Sequence, residues 1–349
     1  IYGLALEVDP VTGLLRGTVT TGGATEQAKA LSEGFLGGAV LINQGADLIA
    51  GQGMASAVKA ARAGSGGDAY GLAAFATVSG GSLRYNSGSH VDMSSLSLLA
   101  GLAKGVELKA GLLTLGAFFE YGNGSYDTYN SFSNAAAVHG EGDIHHTGGG
   151  ILGRLDFMPS QILDGSGNFY AEASARAGGV SNQYSSNDLQ APAGGRAEYD
   201  SSSAYYGLHL GLGYVWNLTE AASLDFYGKY FWTRQEGDSV TLSTGDPVTF
   251  KDVDSQRLRL GGRFAYAVNE YVSPYIGAAY EHEFDGRARA TTNGFAIDAP
   301  SLQGSSGVGE LGLSLKPSQT LPLSFDLGVQ GYVGKREGVT GSLQVKVEF

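Results

Sequence analysis

The sequence predicts an all-β transmembrane fold, a 12-stranded antiparallel outer-membrane β-barrel with an N-terminal α-helix in its lumen. Three observations carry that expectation. Stretches of ten to fifteen residues from about Asp68 onward alternate apolar with small or polar side chains, the period of a strand with one greasy and one wet face. No charge-free apolar run approaches the roughly 18 residues a spanning helix needs, and Phe35 to Ile42 is the longest candidate. The turn-rich segments between strands alternate long and short, the asymmetry of bacterial outer-membrane barrels.

Composition narrows the chemistry. Gly makes up 56 of 349 residues, about twice its usual share, and Cys is absent. Disulfides, zinc–thiolate sites and cysteine nucleophiles are therefore excluded. A formal charge of −12 argues against nucleic acid as a partner, because phosphate binding needs a basic face. The chain opens at Ile1 without Met or a charged-then-apolar leader, which reads as a fragment of something longer. Residues 1–24 hold short alternating stretches around Asp9-Pro10, expected to be the end of an upstream β-rich domain or its linker.

Residues 25–62 read as a helix, with Thr25 as a plausible cap. Leu31, Phe35, Ala39, Ile42, Ala46 and Ile49 recur every three or four residues. Gly34, Gly37, Gly38, Gly45, Gly51 and Gly53 weaken it, so a kink or break is expected. A barrel whose greasy surface faces outward offers this helix no external core. A helix about 10–12 Å across fits inside 12 strands, since eight enclose only side chains and sixteen or more leave a channel.

The strands are expected near 69–78, 93–102, 110–121, 143–157, 168–178, 204–216, 223–233, 253–267, 273–284, 306–315, 322–333 and 339–349, all within a barrel unit of residues 68–349. Tyr206, Leu208, Leu210, Leu212, Tyr214 and Trp216 share one face against Gly207, His209, Gly211 and Gly213. Trp216, Trp232, Phe157, Phe284 and Phe349 sit near strand ends, as interfacial aromatic girdles do. Connections 79–92, 122–142, 179–203, 234–252 and 285–305 are expected to be long loops. Segments 103–109, 158–167, 217–222, 268–272 and 316–321 are expected to be short turns, and 334–338 breaks the alternation.

The wet face carries both signs. Arg154, Arg176, Lys229, Arg257, Arg259, Arg263 and Lys346 oppose Glu120, Asp156, Glu172, Asp225, Glu281, Glu283, Glu310, Asp326 and Glu348. Such a lumen is hydrated or filled by a polar plug rather than an apolar ligand pocket. His145 and His146 are adjacent in a strand, so they face opposite sides and make a poor shared metal site. His282 could face outward, but nothing in the sequence fixes a nucleophile beside it. The run Gly148-Gly149-Gly150 lacks the Lys-Ser or Lys-Thr of a phosphate loop.

Several segments in this order resemble the C-terminal translocator domain of classical autotransporters, the type V secretion proteins. They are Leu31-Ser32-Glu33-Gly34-Phe35-Leu36 followed by Asn43-Gln44-Gly45-Ala46-Asp47, then Ser79-Gly80-Gly81-Ser82-Leu83-Arg84-Tyr85. Gly116-Ala117-Phe118-Phe119-Glu120-Tyr121-Gly122-Asn123-Gly124-Ser125-Tyr126, Gly148 to Arg154 and the terminal Phe349 complete the set. The resemblance implies a 12-stranded barrel with a helix through its pore, in the outer membrane of a Gram-negative bacterium, exporting its own N-terminal passenger. It implies no enzyme activity and no cofactor. The implied partners are the passenger, outer-membrane lipids, periplasmic chaperones and a barrel-assembly machinery that reads Phe349; the barrel is expected to be a monomer. Members that release their passenger inside the barrel cut at a paired Asn-Asn, and this helix has Asn43-Gln44 instead. If related chemistry occurred, Asn43 would be its centre, with Glu172 or Glu120 assisting; otherwise Asn43 and Asp47 are polar contacts to the wall. A passive channel for small solutes is the alternative reading.

Overall fold

A computed structural model describes residues 4–8, 15–19, 24–64, 72–158, 167–190, 195–316 and 323–347. Two short strands, Leu4–Val8 and Leu15–Val19, pair antiparallel. Helix α1 spans Lys29–Leu48, a π-helical turn spans Ile49–Gly53, and helix α2 spans Met54–Gly64. Twelve strands follow: β1 Leu72–Asn86, β2 His90–Leu108, β3 Gly111–Asn130, β4 Val138–Phe157, β5 Gly167–Gln190 and β6 Arg196–Asn217. The second half comprises β7 Ala222–Gln235, β8 Val253–Tyr266, β9 Val272–Glu283, β10 Gly304–Leu315, β11 Leu323–Gly334 and β12 Arg336–Val347. Each pairs antiparallel with the next. β12 closes on β1 from Arg336 opposite Tyr85 to Val347 opposite Ala74, so the barrel has no free edge.

All 12 expected strands form, but the predicted long connections at 79–92, 122–142 and 179–203 are mostly strand. The β1–β2 connection is only 87–89. The cause is a reversal of polarity along each strand. Between Trp216 and Tyr206 the outward face of β6 is Tyr214 and three leucines, with Leu208, Leu210 and Leu212 at 51%, 61% and 68% exposure, while His209 points inward and is buried. Ten residue steps on a tilted strand give an apolar band about 25 Å tall. Above that band the outward face turns polar. Asn123, Ser125 and Asp127 of β3 are exposed, while Tyr126 faces inward and is buried. The inward face there gains large apolar and aromatic side chains, with Val180, Tyr184, Tyr199 and Tyr205 buried among polar groups such as Asn130 and Asn182. β5, at 24 residues, runs about 80 Å, far more than a bilayer needs. Ser, Asn and Gly read as turn residues in a sequence, but here they cover a sheet that meets water.

At the same end, Ser239–Thr241, Pro247–Phe250, Ala290–Thr292 and Phe295–Ile297 build a four-stranded sheet within the β7–β8 and β9–β10 connections. This end of the barrel is termed the upper mouth. The other end carries the connections 109–110, 218–221 and 267–271, none as long as the two that build the loop sheet.

The position of the apolar band is testable. Leu210→Arg is expected to cost about 2–4 kcal/mol in lipid vesicles. Gln183→Arg, outward on β5 above the band, is expected to stay within about 0.5 kcal/mol of the parent. Equal costs by urea unfolding in vesicles would place the bilayer elsewhere on the barrel.

Candidate functional site in the barrel lumen

α1 lies inside the barrel. From Ala30 to Leu48 every residue is buried, polar ones included. Its sequence suits that place, because one apolar stripe cannot serve a helix enclosed all round and small residues must provide the clearance. Gly34 shows how tight the fit is: a Cβ there would run into the Tyr184 ring and come within 2.8 Å of Tyr199 Oη. A Cβ on Gly38 would meet the Gln235 carboxamide. The expected break also appears, at the π-helical turn holding Gly51 and Gly53. Thr25 makes no side-chain capping bond.

The wall grips the helix at three heights. At the upper mouth Leu31 and Phe35 are fully buried; Phe35 stacks on Phe250 of the loop sheet with centroids 4.4 Å apart. Tyr199 Oη donates to the Leu31 carbonyl at 2.9 Å and Asn182 Nδ2 to the Gly34 carbonyl at 2.8 Å. The Glu33 carboxylate accepts from Ser87, Ser89 and Asn130, and Lys29 Nζ reaches the Gly88 carbonyl at 3.2 Å. These bonds tie the β1–β2 turn to the helix.

At mid-height, Asp47 meets three guanidiniums. Arg257 Nη1 and Arg259 Nη2 lie 2.8 and 3.0 Å from Oδ1, and Arg336 Nη1 lies 2.5 Å from Oδ2. Glu281 holds Arg259 at 2.6 Å and Arg257 at 3.3 Å from the wall side. Asn43 Nδ2 donates to Ser255 Oγ at 3.0 Å, and Ser255 in turn donates to Glu283. Arg176 Nη2 donates to the Ile42 carbonyl at 2.7 Å while Nη1 pairs with Glu120 at 2.9 Å.

Lower down, Lys229 Nζ bonds the Ala50 carbonyl in the π-helical turn and pairs with Glu172 at 2.7 Å. Gln344 Nε2 donates to the Gln52 carbonyl at 2.9 Å. Wall side chains thus satisfy carbonyls in the π-helical turn. Arg154 pairs with Asp156 at 2.8 Å and Glu172 at 3.4 Å. Arg263 pairs with Glu310 at 2.7 Å. Lys59 and Arg62 of α2 reach Asp326 and Asp156 at 3.2 and 3.1 Å.

The sequence-predicted residues therefore occupy one lumen but not one cluster. Asp47, Arg257, Arg259 and Glu281 meet, whereas Glu120–Arg176, Glu172–Lys229–Arg154 and Arg263–Glu310 are separate pairs along the wall. The carboxylates expected to assist Asn43 are committed elsewhere: Glu120 to Arg176 and Tyr205, Glu172 to Lys229. The acid linked to Asn43 is Glu283, through Ser255. Arg336 was not foreseen, because 334–338 reads as a loop, yet the β11–β12 connection is the single residue Lys335. A clue lay in the helix itself, whose stretch from Gly34 to Gly64 carries Asp47 as its sole carboxylate. A lone carboxylate in a lumen needs concentrated positive charge around it.

His145 faces out and His146 faces in, its Nδ1 3.3 Å from Tyr205 Oη. Ser305 Oγ stands 2.9 Å from His282 Nδ1, a neighbour the sequence did not disclose. Tyr280 Oη shares that hydroxyl at 2.7 Å, and no carboxylate orients the imidazole among the described residues, so this is a surface pair rather than a triad. Phe349 lies outside the described residues.

The comparisons with known proteins agree with this geometry. Residues 50–328 match the autotransporter beta-domain family. The fold is shared with the β domain of the Bordetella autotransporter BrkA, at TM-score 0.58 and 16% identity, covering 81% of this chain and all of that one. It is shared too with the translocator domain of autotransporter NalP from Neisseria meningitidis, at TM-score 0.56 and 15% identity, covering 88% and 98% of the two chains. An uncharacterized protein, YaiT of Salmonella typhimurium, is 31% identical over 159 residues, 42% of this chain. The chain spans only 16% of that relative's length. With a closed barrel, a lipid-facing band and a helix threaded through the lumen, the chain belongs to the autotransporter beta-domain family of outer-membrane translocators.

Proposed function

We propose that the barrel exports the segment of its own chain that precedes the helix, and that residues 25–62 then stay behind as tether and plug. One observation carries this: the helix runs through a closed barrel with its N-terminal end at the upper mouth, so whatever precedes it emerges there. In the membrane that mouth faces the cell exterior, and β1 begins on the periplasmic side. Residues 1–24 are read as the end of the passenger or its linker, 25–62 as the lumenal segment and 68–349 as the translocator. Threading needs no nucleotide, metal or other cofactor, and no catalytic role is assigned. The partners of this reading are the passenger, outer-membrane lipids, periplasmic chaperones and the assembly machinery, which would read the terminal Phe349; the unit would act as a monomer, without nucleic acid.

An epitope fused ahead of Thr25 in the natural chain tests it. The epitope is expected on intact cells, removable by external protease. A folded barrel in the outer membrane whose epitope stays in the periplasm would sink the export reading. The alternative, a passive channel for small solutes, is disfavoured because the helix is gripped along its length, with cavities of about 20, 70 and 30 Å³ beside it among the described residues.

A further inference from the structure

We infer that Arg257, Arg259 and Arg336 form a carboxylate-binding site belonging to the wall, which accepts a free small carboxylate as readily as the Asp47 side chain. The three guanidiniums are held mainly by wall groups; besides Asp47, the helix supplies Arg257 with the Asn43 carbonyl, which accepts from Nη2 at 3.2 Å. Arg257 and Arg259 lie over the Phe231 ring at 4.8 and 5.5 Å and share Glu281. Arg336 sits between the rings of Tyr332 and Tyr85, at 3.9 and 5.6 Å. Removing Asp47 would therefore leave the fork-shaped donors aimed at the same point, with three cations facing Glu281 alone. The site also has unused capacity: Nε of Arg257 and of Arg336 are buried without a partner among the described residues.

Room for a ligand exists as well. Polar cavities of about 20 and 70 Å³ border Asp47, and truncating that side chain would add the volume of one carboxylate. Two oxygens on one carbon are what the cluster now holds, at 2.8 and 3.0 Å on Oδ1 and 2.5 Å on Oδ2. Formate reproduces that pair, and chloride supplies only a point charge. While the lumen holds a passing segment instead of the helix, the same site would receive an Asp or Glu of that segment.

The test uses the full chain in detergent, as wild type, Asp47→Ala and Asp47→Asn, melted in sodium formate or in sodium chloride of equal ionic strength. Formate is expected to raise the melting temperature of Asp47→Ala by several degrees over chloride, through mass action on the folded state. It is expected to leave wild type and Asp47→Asn unmoved, because a side chain already fills their site. No gain for Asp47→Ala, or the same gain for all three proteins, overturns the inference. If Asp47→Ala does not fold in chloride, the folded yield on refolding in formate replaces the melting curve, and no increase there overturns it too. The inference stands apart from export, since a barrel that displays nothing would still bind formate.

Discussion

Asp47→Leu is expected to lower the unfolding free energy by about 3–5 kcal/mol, the range for removing one partner of a buried ion pair. The loss comes from what remains rather than from the bond removed. Arg257, Arg259 and Arg336, each below 10% exposure, would face Glu281 without their second anion. Leu fills the volume of Asp but cannot accept a hydrogen bond, so donors on all three would be orphaned. A double-mutant cycle isolates the effect. Arg336→Met removes one of the uncompensated cations, so Asp47→Leu/Arg336→Met is expected to be less destabilised than the sum of the single changes, by about 1 kcal/mol or more. Heat or urea unfolding followed by the gel mobility of the folded form measures all three variants. A loss below about 1 kcal/mol for Asp47→Leu would mean that water screens the cluster as it does a surface pair.

The parts of this site that were legible in the sequence are those governed by local periodicity. Alternation located 12 strands and put Arg257, Arg259 and Glu281 on the wet face, because a strand places every second residue on one side. The three- and four-residue recurrence of Leu31, Phe35 and Ile42 located the helix. Strand ends escape local periodicity because the outward face does not keep one hydropathic sign along the whole strand. The barrel changes solvent as it leaves the membrane, so Tyr126, Tyr184 and Tyr199 are inward where Leu208 and Leu210 are outward. Arg336 was hidden for a different reason. Its relation to Asp47 crosses 289 residues and depends on β12 closing against β1, which no local pattern reports.

The three grips act on different chemistry. The lowest combines backbone carbonyls taken by Lys229 and Gln344, which tolerate many helix sequences, with ion pairs from the half-exposed Lys59 and Arg62. The middle one requires a carboxylate at one position. The upper one requires the absence of a side chain, because Tyr199 and Asn182 can reach the Leu31 and Gly34 carbonyls only where the helix backbone approaches the wall closely. A chain sliding through the lumen could meet the first condition in many places, but the second and third together in one register.

Gly34→Leu is therefore expected to unseat the upper half of the helix and open the pore. Tyr184 cannot yield to the new side chain: its ring stacks on Tyr199 at 5.2 Å and lies over Gly140, where even a Cβ would collide with it. In an isolated helix the change would help, since Leu is a better helix former than Gly by somewhat under 1 kcal/mol. Inside the barrel the overlap costs about 1–3 kcal/mol or more. Shifting the helix away from Tyr184 also breaks the bonds to the Leu31 and Gly34 carbonyls. The steric term wins, and the helix leaves its seat at the upper mouth while the barrel itself, paired around its whole circumference, stays closed. In planar bilayers Gly34→Leu is expected to give single-channel currents at least several-fold above wild type, with Gly34→Ala between the two. Unchanged currents together with an unchanged melting temperature would show that the lumen has slack the glycine does not need.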